Sequence, residues 1–407
     1  MRPLGLFLLH FVNNGVLLYN KDMSIGDFWG KLMKKKAQDI RVAIDIGSMS
    51  VKTILFEKKG ENLIIIKKMV TQFPLREDTV SIVKFINTYI REELFQIIKD
   101  IRRVPDKVII GIAGDFLENK ISSIKIERAH KNRKVSEEEI TEVFKKGVEA
   151  VNAENSDAVL IDSFPMRVLI DGYEIEDVYK DITGDMIEIF VFSSLMKKEY
   201  WEQFKLLKRI LGGIPLKFVS NQFVNAFSLP KVLNSPQALL IDVGAKATEI
   251  SYVNNSKIRF IRRFLFGGYN FTKLISESLG VGYVEADNIK RQYEDQILPS
   301  SLTNKIKESV LRGVIEWERE FIDILSSDYN FIVPADVFVF GGGLYLKEIQ
   351  DFLKRGEWAV GLSWREKINI SFLSAEKITH NVLDATKLSG FNEVSFLSLV
   401  YYSYLLD

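Results

Sequence analysis

The chain has 407 residues, of which 47% are hydrophobic and 27% charged, and its 55 basic and 54 acidic residues leave a formal charge of +1. This length predicts two or more domains, and the composition excludes a disordered chain. The balanced charge provides no basic surface field, so no nucleic-acid partner is expected. Cysteine is absent and histidine occurs three times, which excludes disulfides and cysteine nucleophiles and argues against a histidine metal site.

Residues 1–40 are interpreted as an N-terminal extension, with either Met1 or Met23 as the start of the protein. An apolar run near the start is interrupted by asparagines before it reaches the ~20 residues of a membrane span. No small-residue cleavage site of a signal peptide is evident in it. The run therefore predicts neither a transmembrane helix nor a secretion signal.

Residues 24–36 are predicted to form an amphipathic helix. Apolar residues recur there at helical spacing, with Phe28 and Trp29 on one face and lysines nearby. Such a helix is suited to an anionic membrane surface. The alternative is a helix that packs on its own domain, or a frayed tail.

Residues 41–116 are predicted as the first part of lobe I, an α/β unit. A short apolar run leads into the sequence D-I-G-S-M-S-V-K, from Asp45 to Lys52, and a second β-rich run follows. An Asp-x-Gly turn between two strands can aim backbone N–H groups and a hydroxyl at an anion, and its Asp at a Mg²⁺ hydration shell. The predicted metal residue is Asp45, and the predicted phosphate-binding residues are Gly47, Ser48, Ser50 and Lys52.

Residues 117–213 are predicted as a small α+β subdomain inserted into the first lobe. A strand is followed by a helix that Ser136 and Glu139 open as a capping box. Two separate strands are then predicted over Ala158–Ile161 and Arg167–Ile170, before a third strand and a second helix. This order is that of a module with its own sheet.

Lobe I is predicted to resume over residues 214–240, with a strand and a connecting helix, and lobe II covers residues 241–393. A second, weaker Asp-x-Gly turn begins at Asp242 and lies between two β-rich runs. It predicts Asp242 as a second metal residue, with Gly244 and Thr248 at the phosphate. Because the same strand–turn–strand unit opens both halves, duplicated lobes are predicted.

A third glycine element follows a buried strand, where Phe340 runs into a turn at Gly341-Gly342-Gly343, and a helix of about Tyr345–Lys354 is predicted after it. Three glycines let a flat base or a ribose approach the backbone, and the helix N-terminus favours an anion. The alternative is a plain helix-entry turn. Residues 394–407 are predicted as a C-terminal helix that packs back on lobe I.

Asp287 and Lys290 lie one turn apart on a predicted helix. They are predicted to contact a ribose and an adenine edge, although an ordinary surface pair at this spacing is an equal alternative.

In order and spacing, the two phosphate turns and the adenosine glycines resemble the actin-like ATPase superfamily, over nearly all of residues 41–407. The resemblance implies an α/β fold with two lobes, a duplicated ribonuclease-H-like ATPase fold, that binds ATP and Mg²⁺ in its central cleft. In that superfamily a Gln or Glu at the start of the connecting helix orients the attacking water. Gln222 matches this position, and the alternative is a solvated side chain at a helix start.

Within the superfamily the chain looks most like the FtsA/PilM branch. The inserted module lies where FtsA carries its characteristic SHS2-type subdomain, and residues 164–172 and 182–186 resemble a stretch of that subdomain. The residues that look more like PilM are Asp242-Val243-Gly244-Ala245, Arg263 before Gly267-Gly268, and Ala286-Asp287-Asn288-Ile289-Lys290. FtsA usually has its membrane helix at the C-terminus, whereas the amphipathic candidate here is N-terminal.

Resemblance to FtsA implies a cytoplasmic protein, peripheral on the inner face of the cell membrane, that links a tubulin-like FtsZ filament to the membrane and self-associates into protofilaments. Resemblance to PilM implies a cytoplasmic component of type IV pilus assembly that binds a PilN-like peptide. Both imply at most a slow ATPase. Two other classes stay open: a small-molecule kinase of the same fold, and an assembly module without nucleotide binding, because Ala245 and Ala247 weaken the second turn.

Overall fold

A computed structural model describes residues 38–73, 79–175, 181–210, 214–327, 331–379 and 381–405. The predicted helix over residues 24–36 lies outside these ranges. The chain divides into two compact units, and unit 2 consists of residues 44–52, 69–73 and 221–407. The turn at Asp45 therefore belongs to unit 2, together with the connecting helix. The six predicted domain ranges, which place both in lobe I, stay a prediction.

Unit 1 contains the first sheet and the inserted subdomain. In chain order its elements are β1 (Asp39–Ile46), β2 (Ser50–Lys59), β3 (Asn62–Gln72), α1 (Thr79–Ile101), β4 (Lys107–Ile112), β5 (Glu118–Glu127), α2 (Glu137–Glu154), β6 (Ala158–Ile170), β7 (Tyr173–Glu174), β8 (Met186–Lys197), α3 (Lys198–Ile210) and β9 (Leu216–Ser220). Strands β1, β2 and β3 continue into unit 2 at one end. Five of the six strands of the first sheet follow the order β3–β2–β1–β4–β9, and β1 is buried along almost its whole length, as expected of a central strand.

The inserted subdomain forms between β4 and β9 and has a sheet of its own, with the order β5–β8–β6–β7. Helix α2 begins after Ser136, whose hydroxyl accepts the backbone N–H of Glu139 at 3.2 Å. Phe144 of α2 shares a buried core with Ile189 and Val191 of β8. The predicted α+β insertion is therefore confirmed as part of the fold.

Strand β6 corrects the prediction of two separate strands over Ala158–Ile161 and Arg167–Ile170. It is continuous, and its register against β8 shifts twice, once between Pro165 and Arg167. Proline cannot donate a ladder hydrogen bond, and a bulge beside it removes the need for one. The residues that looked like a break in the sequence are thus accommodated within one strand.

Unit 2 contains the second sheet and most of the helices predicted after residue 220. In chain order its elements are α4 (Asn221–Val232), β10 (Ala238–Val243), β11 (Thr248–Asn254), β12 (Lys257–Phe264), α5 (Gly268–Leu279), α6 (Tyr283–Glu294), α7 (Ser300–Ser326), β13 (Ile332–Val333), β14 (Asp336–Phe340), α8 (Lys347–Arg355), β15 (Ser363–Trp364), β16 (Asn369–Phe372), β17 (Val382–Asp384) and α9 (Val394–Leu405). Its large sheet has the order β12–β11–β10–β14–β16. Numbered along the chain, these five strands and the five strands given for the first sheet share the order 3-2-1-4-5, which confirms the predicted duplication.

Aromatic side chains dominate the core of unit 2. Trp317 and Phe321, one turn apart on α7, stack with ring centroids 4.9 Å apart, and both contact Phe352 of α8 edge-on. Helix α9 packs on α4, where the ring of Tyr402 lies edge-on to Phe227 at 5.5 Å. This packing fixes α4 and α9 side by side, and both helices contribute to the site described below.

The helix predicted after the glycine run is present: a 3₁₀ helix spans Gly342–Tyr345, and α8 begins at Lys347. Of the helices in the described ranges, none is long and apolar enough to span a membrane.

Candidate nucleotide and metal site

Both Asp-x-Gly turns lie in unit 2 and close in the same way. The Gly47 N–H donates to the carbonyl of Ser50 at 2.9 Å, and the Gly244 N–H donates to the carbonyl of Ala247 at 2.9 Å. The second strand of each hairpin begins at or just after this bond. The sequence repeat is therefore also a repeat of backbone geometry.

The second turn is backed by the start of α5. The carbonyls of Gly244 and Ala245 accept the N–H groups of Gly268 and Tyr269, at 3.0 and 2.6 Å. The C=O and N–H of a trans peptide unit point in opposite directions. The N–H groups that follow these carbonyls, those of Ala245 and Lys246, therefore point away from α5, as in an anion-binding turn.

Asp45 is 3% exposed, and its carboxylate has two partners. Oδ1 accepts the Nδ2 amide of Asn221 at 2.7 Å, and Oδ2 pairs with Nζ of Lys52 at 3.3 Å. Ser48 and Ser50 lie in the same turn, both half-buried. The first turn thus brings together every residue predicted for it.

Asp242 of the second turn is held by two different helices. Its Oδ2 accepts the hydroxyl of Ser395 on α9 at 2.8 Å and the Nδ2 amide of Asn225 on α4 at 3.5 Å. Burial raises the pKa of Asp242 to about 6, although the hydrogen bond from Ser395 and the charge of Lys52 act in the opposite direction. The carboxylate of Asp45 also raises it, so the two acidic groups interact electrostatically.

Helix α4 joins the two turns through one face. Asn221 and Asn225 are i,i+4 neighbours, and each donates its amide N–H to one of the two carboxylates. Asn225 also donates to the hydroxyl of Ser395 at 3.0 Å, which is shorter than its 3.5 Å bond to Asp242. Neither asparagine nor Ser395 was predicted from the sequence as a site residue. The sequence signal for these contacts was a pair of asparagines four residues apart in a largely apolar helix. Polar side chains on a buried face are normally hydrogen-bonded, so the pair indicates partners within the protein.

A short segment at the start of α9 contacts all three glycine elements. In residues 391–395, the carbonyl of Asn392 accepts Nζ of Lys52 at 2.7 Å, and the preceding carbonyl accepts the N–H of Gly341 at 3.1 Å. Ser395 completes the set through its bond to the second turn. Lys52 therefore lies at the site, but within the protein it pairs with the carboxylate of Asp45 and donates to the carbonyl of Asn392.

Two positions of the glycine run require glycine because the backbone there lies against the second turn. Gly341 has φ +100°, and a Cβ there would overlap the Oδ1 of Asp242. A Cβ at Gly343 would overlap the side chain of Val243, whereas at Gly342 the nearest atom would be 3.6 Å away. Of the three glycines, only Gly342 would accept a side chain without a clash, and the contact of the run with a ligand stays a prediction.

Asp287 and Lys290 form a connected polar group on α6. Nζ of Lys290 lies 2.8 Å from the hydroxyl of Thr272, 3.1 Å from the carbonyl of Gly268 and 3.3 Å from Asp287. Burial acts to raise the pKa of Asp287, but Lys290 and Arg291 outweigh it and lower the pKa. Lys290 is therefore linked to the second turn through one residue, Gly268, whose N–H donates to that turn.

Two predicted site residues are occupied elsewhere. The hydroxyl of Thr248 is fully buried, donates to the carbonyl of Phe266 at 2.8 Å and accepts the indole N–H of Trp317 at 2.8 Å. Its only proton is used, so it does not donate to a phosphate. Gln222 is 3% exposed and donates its amide to the carbonyl of Arg262 at 2.7 Å. It is a buried link to β12 rather than a solvated side chain.

The donor set of the site fits a hydrated Mg²⁺ ion. Within the described ranges, no three His, Asp or Glu side chains are grouped to hold a bare metal. Asp45 and Asp242 nevertheless supply two carboxylates, and the buried amide oxygens of Asn221 and Asn225 have no hydrogen-bond partner among the described residues. Mg²⁺ prefers oxygen ligands, keeps several waters and is commonly completed by phosphates.

Comparison with known proteins identifies the fold as that of the actin-like ATPases. A chain of the PilM–PilN type IV pilus biogenesis complex matches 89% of this chain and 98% of its own length, with a TM-score of 0.66 and 15% identity. The family described as type IV pilus assembly protein PilM matches residues 219–354. Cell division protein FtsA of Bacillus subtilis (strain 168) is 23% identical over 331 residues, 75% of this chain and 73% of that protein. The resemblance to the FtsA/PilM branch is therefore confirmed.

Proposed function

We propose that this chain binds one ATP molecule together with Mg²⁺ and uses the nucleotide to control assembly with partner proteins. The observation that carries the proposal is the joining of both Asp-x-Gly turns by one face of α4, through Asn221 and Asn225. A polyphosphate held by the outward N–H groups of both turns places its Mg²⁺ beside Asp45 and Asp242. Gly342 and the polar group around Lys290 are then the protein's contacts for the nucleoside.

The nucleotide proposal is tested by thermal unfolding with Mg²⁺–ATP, with ATP in EDTA, and with Mg²⁺ alone. A ligand at about 100 times its dissociation constant stabilises the native state by ~2.7 kcal/mol. We expect a clear rise in Tm only when nucleotide and metal are both present. An unchanged Tm at millimolar Mg²⁺–ATP contradicts the proposal and favours an assembly module that has lost nucleotide binding.

For the cellular role, we propose an FtsA-like peripheral adaptor that links a tubulin-like division filament to the inner face of the membrane. The match to FtsA, which extends over 331 residues, supports this role. The proposed membrane contact is the predicted helix over residues 24–36. Replacing Phe28 and Trp29 with Glu is expected to abolish co-sedimentation with anionic liposomes, whereas Phe95→Glu, at an exposed position of α1, is the matched control.

A PilM-like role in type IV pilus assembly is the second candidate. It is supported by the family match over residues 219–354 and by the fold match to the PilM–PilN complex. In this role the chain binds a short PilN-like peptide of a membrane partner instead of a filament.

The two roles are separated by binding assays with the FtsZ-like protein and the PilN-like peptide encoded in the same genome. Co-sedimentation with FtsZ filaments and no peptide affinity supports the division role, and the converse supports the pilus role. Rapid ATP-dependent phosphorylation of a sugar or an acid, with neither partner bound, assigns the chain to the small-molecule kinases instead.

A further inference from the structure

Two asparagines at the site each keep one buried acceptor without a donor. Asn221 is 6% and Asn225 is 3% exposed. Nδ2 of Asn221 donates to Asp45 at 2.7 Å, and Nδ2 of Asn225 donates to Ser395 at 3.0 Å and to Asp242 at 3.5 Å. Neither Oδ1 has a hydrogen-bond partner among the described residues. Most buried polar atoms in proteins are hydrogen-bonded, so two such oxygens one helical turn apart require an explanation.

The chemistry of the missing partner is restricted. An amide oxygen only accepts hydrogen bonds, so it needs a donor or a cation. Ionised phosphates and carboxylates offer acceptor oxygens alone, and therefore neither a nucleotide phosphate nor Asp45 or Asp242 can satisfy it. A hydrated divalent cation presents polarised water hydrogens on every side, and Mg²⁺ typically keeps several of its waters when bound.

We infer that Asn221 and Asn225 are positioning residues for the divalent cation of this site. Each accepts a hydrogen bond from a cation-bound water through Oδ1, while its Nδ2 orients one carboxylate. Their i,i+4 spacing places both amides on one face of α4, so a single rigid helix aligns the two turns with the same ion. This inference rests on the proposed nucleotide function and adds a metal-positioning role to the two residues that join the turns.

The test separates metal binding from nucleotide binding. Mn²⁺ replaces Mg²⁺, and its affinity for the ADP complex is measured from the electron paramagnetic resonance signal of free Mn²⁺. The affinity for ADP alone is measured in EDTA. The variants are Asn221→Ala and Asn225→Ala, with Asn225→Leu as an apolar replacement of similar volume should the alanine variant fail to fold.

Asn87 provides a matched control. It lies in α1, and its amide oxygen is also buried without a partner among the described residues, but it belongs to unit 1. Asn87→Ala is expected to leave Mn²⁺ affinity unchanged. Loss of an outer-shell partner typically weakens metal binding about 10- to 100-fold, and we expect this loss for the Asn221 and Asn225 variants, with ADP affinity in EDTA unchanged.

Each other outcome is decisive. If the wild-type chain binds no ADP under either condition, the proposed function fails. If it binds Mn²⁺–ADP and both asparagine variants do so equally well, the positioning role is wrong and the proposed function stands. If the variants lose ADP affinity in EDTA to the same extent as Mn²⁺ affinity, the asparagines support the turns structurally, which also overturns the inference.

Discussion

Thr248 occupies a motif position that suggested a ligand contact, yet its hydroxyl is hydrogen-bonded within the protein core. It links the carbonyl of Phe266 to the indole of Trp317. The sequence could not distinguish these uses, because the distinction depends on a partner 69 positions away in the chain. Burial decides the use of this hydroxyl, since a fully buried donor must be paired within the protein.

Thr248→Val is expected to lower the free energy of unfolding by about 1–3 kcal/mol, because a buried carbonyl and a buried indole N–H lose their partner. Nucleotide affinity is expected to remain unchanged. Urea unfolding and a nucleotide titration check the two expectations. The control is Thr53→Val, because the buried hydroxyl of Thr53 has no partner among the described residues and its removal is expected to be neutral or stabilising. A Thr248 variant of normal stability that binds nucleotide weakly restores the predicted phosphate role.

Gly341 supports a second prediction at the scale of one residue. Gly341→Ala adds a Cβ that overlaps the Asp242 carboxylate, at a φ of +100°. We expect a large loss of stability together with a loss of nucleotide binding.

The matched control for that variant is Gly361→Ala. Gly361 has φ +92°, but no atom lies within 4 Å of a Cβ there. It should therefore show only the backbone penalty of about 1–2 kcal/mol. Equal stability of the two alanine variants, measured by urea unfolding, would show that the glycine run does not approach the second turn.

At the scale of elements, β6 and β9 of unit 1 carry a buried pair of opposite charges. Burial raises the pKa of Asp162 to about 7, although the charge of Lys217 on β9 opposes this shift. Burial also lowers the pKa of Lys217 to about 8, where the charge of Asp162 again opposes it and that of Lys107 on β4 adds to it. Both shifts disfavour the charged forms, as expected of charges removed from water.

The pH dependence of stability follows from the direction of the Asp162 shift. An unfolded aspartate releases its proton near pH ~4, whereas the native Asp162 keeps it up to a pH of about 7. The native state therefore binds more protons in this window, and stability falls as the pH rises through it. Urea unfolding at pH ~5 and pH ~7 is expected to show a decrease of about 1–2 kcal/mol from this group.

Asp162→Asn removes the titrating group and should abolish that decrease. Asp323→Asn, at an exposed position of α7, serves as the control and should retain it. If the Asp162 variant and the wild-type chain lose the same stability between the two pH values, the decrease comes from other groups.

The helices and strands near the turns were predictable, but the contacts between them were not. The run of apolar residues before each Asp-x-Gly turn and the capping signal at Ser136 are local, and the strands and the helix start they predict are present. The bonds from Asn221, Asn225 and Ser395 to the two aspartates join positions 17 to 176 residues apart. No local pattern encodes such pairings. The short strands β15, β16 and β17 also escaped prediction, because two to four residues show no alternation.

At the scale of the whole molecule, the repeated turn predicted the duplication of the fold. Two Asp-x-Gly hairpins open two sheets in which five strands follow the same order, and each turn is closed by an equivalent backbone hydrogen bond. The sequence assigned the first turn to lobe I, whereas by its contacts it groups with unit 2. The assignment differs because Asp45 and Lys52 bond to Asn221 and Asn392, far along the chain.

The central claim is that both turns serve one nucleotide. The most direct measurement is a calorimetric titration of Mg²⁺–ATP into the wild-type chain, Asp45→Asn, Asp242→Asn and the double variant, with Asp323→Asn as control. We expect one ATP per chain and a weakening of at least about tenfold, ~1.4 kcal/mol, in each single variant. The double variant should lose less than the sum of the two, because both residues act on one ion. Wild-type affinity in either single variant, or losses that add as at two independent sites, would contradict the account.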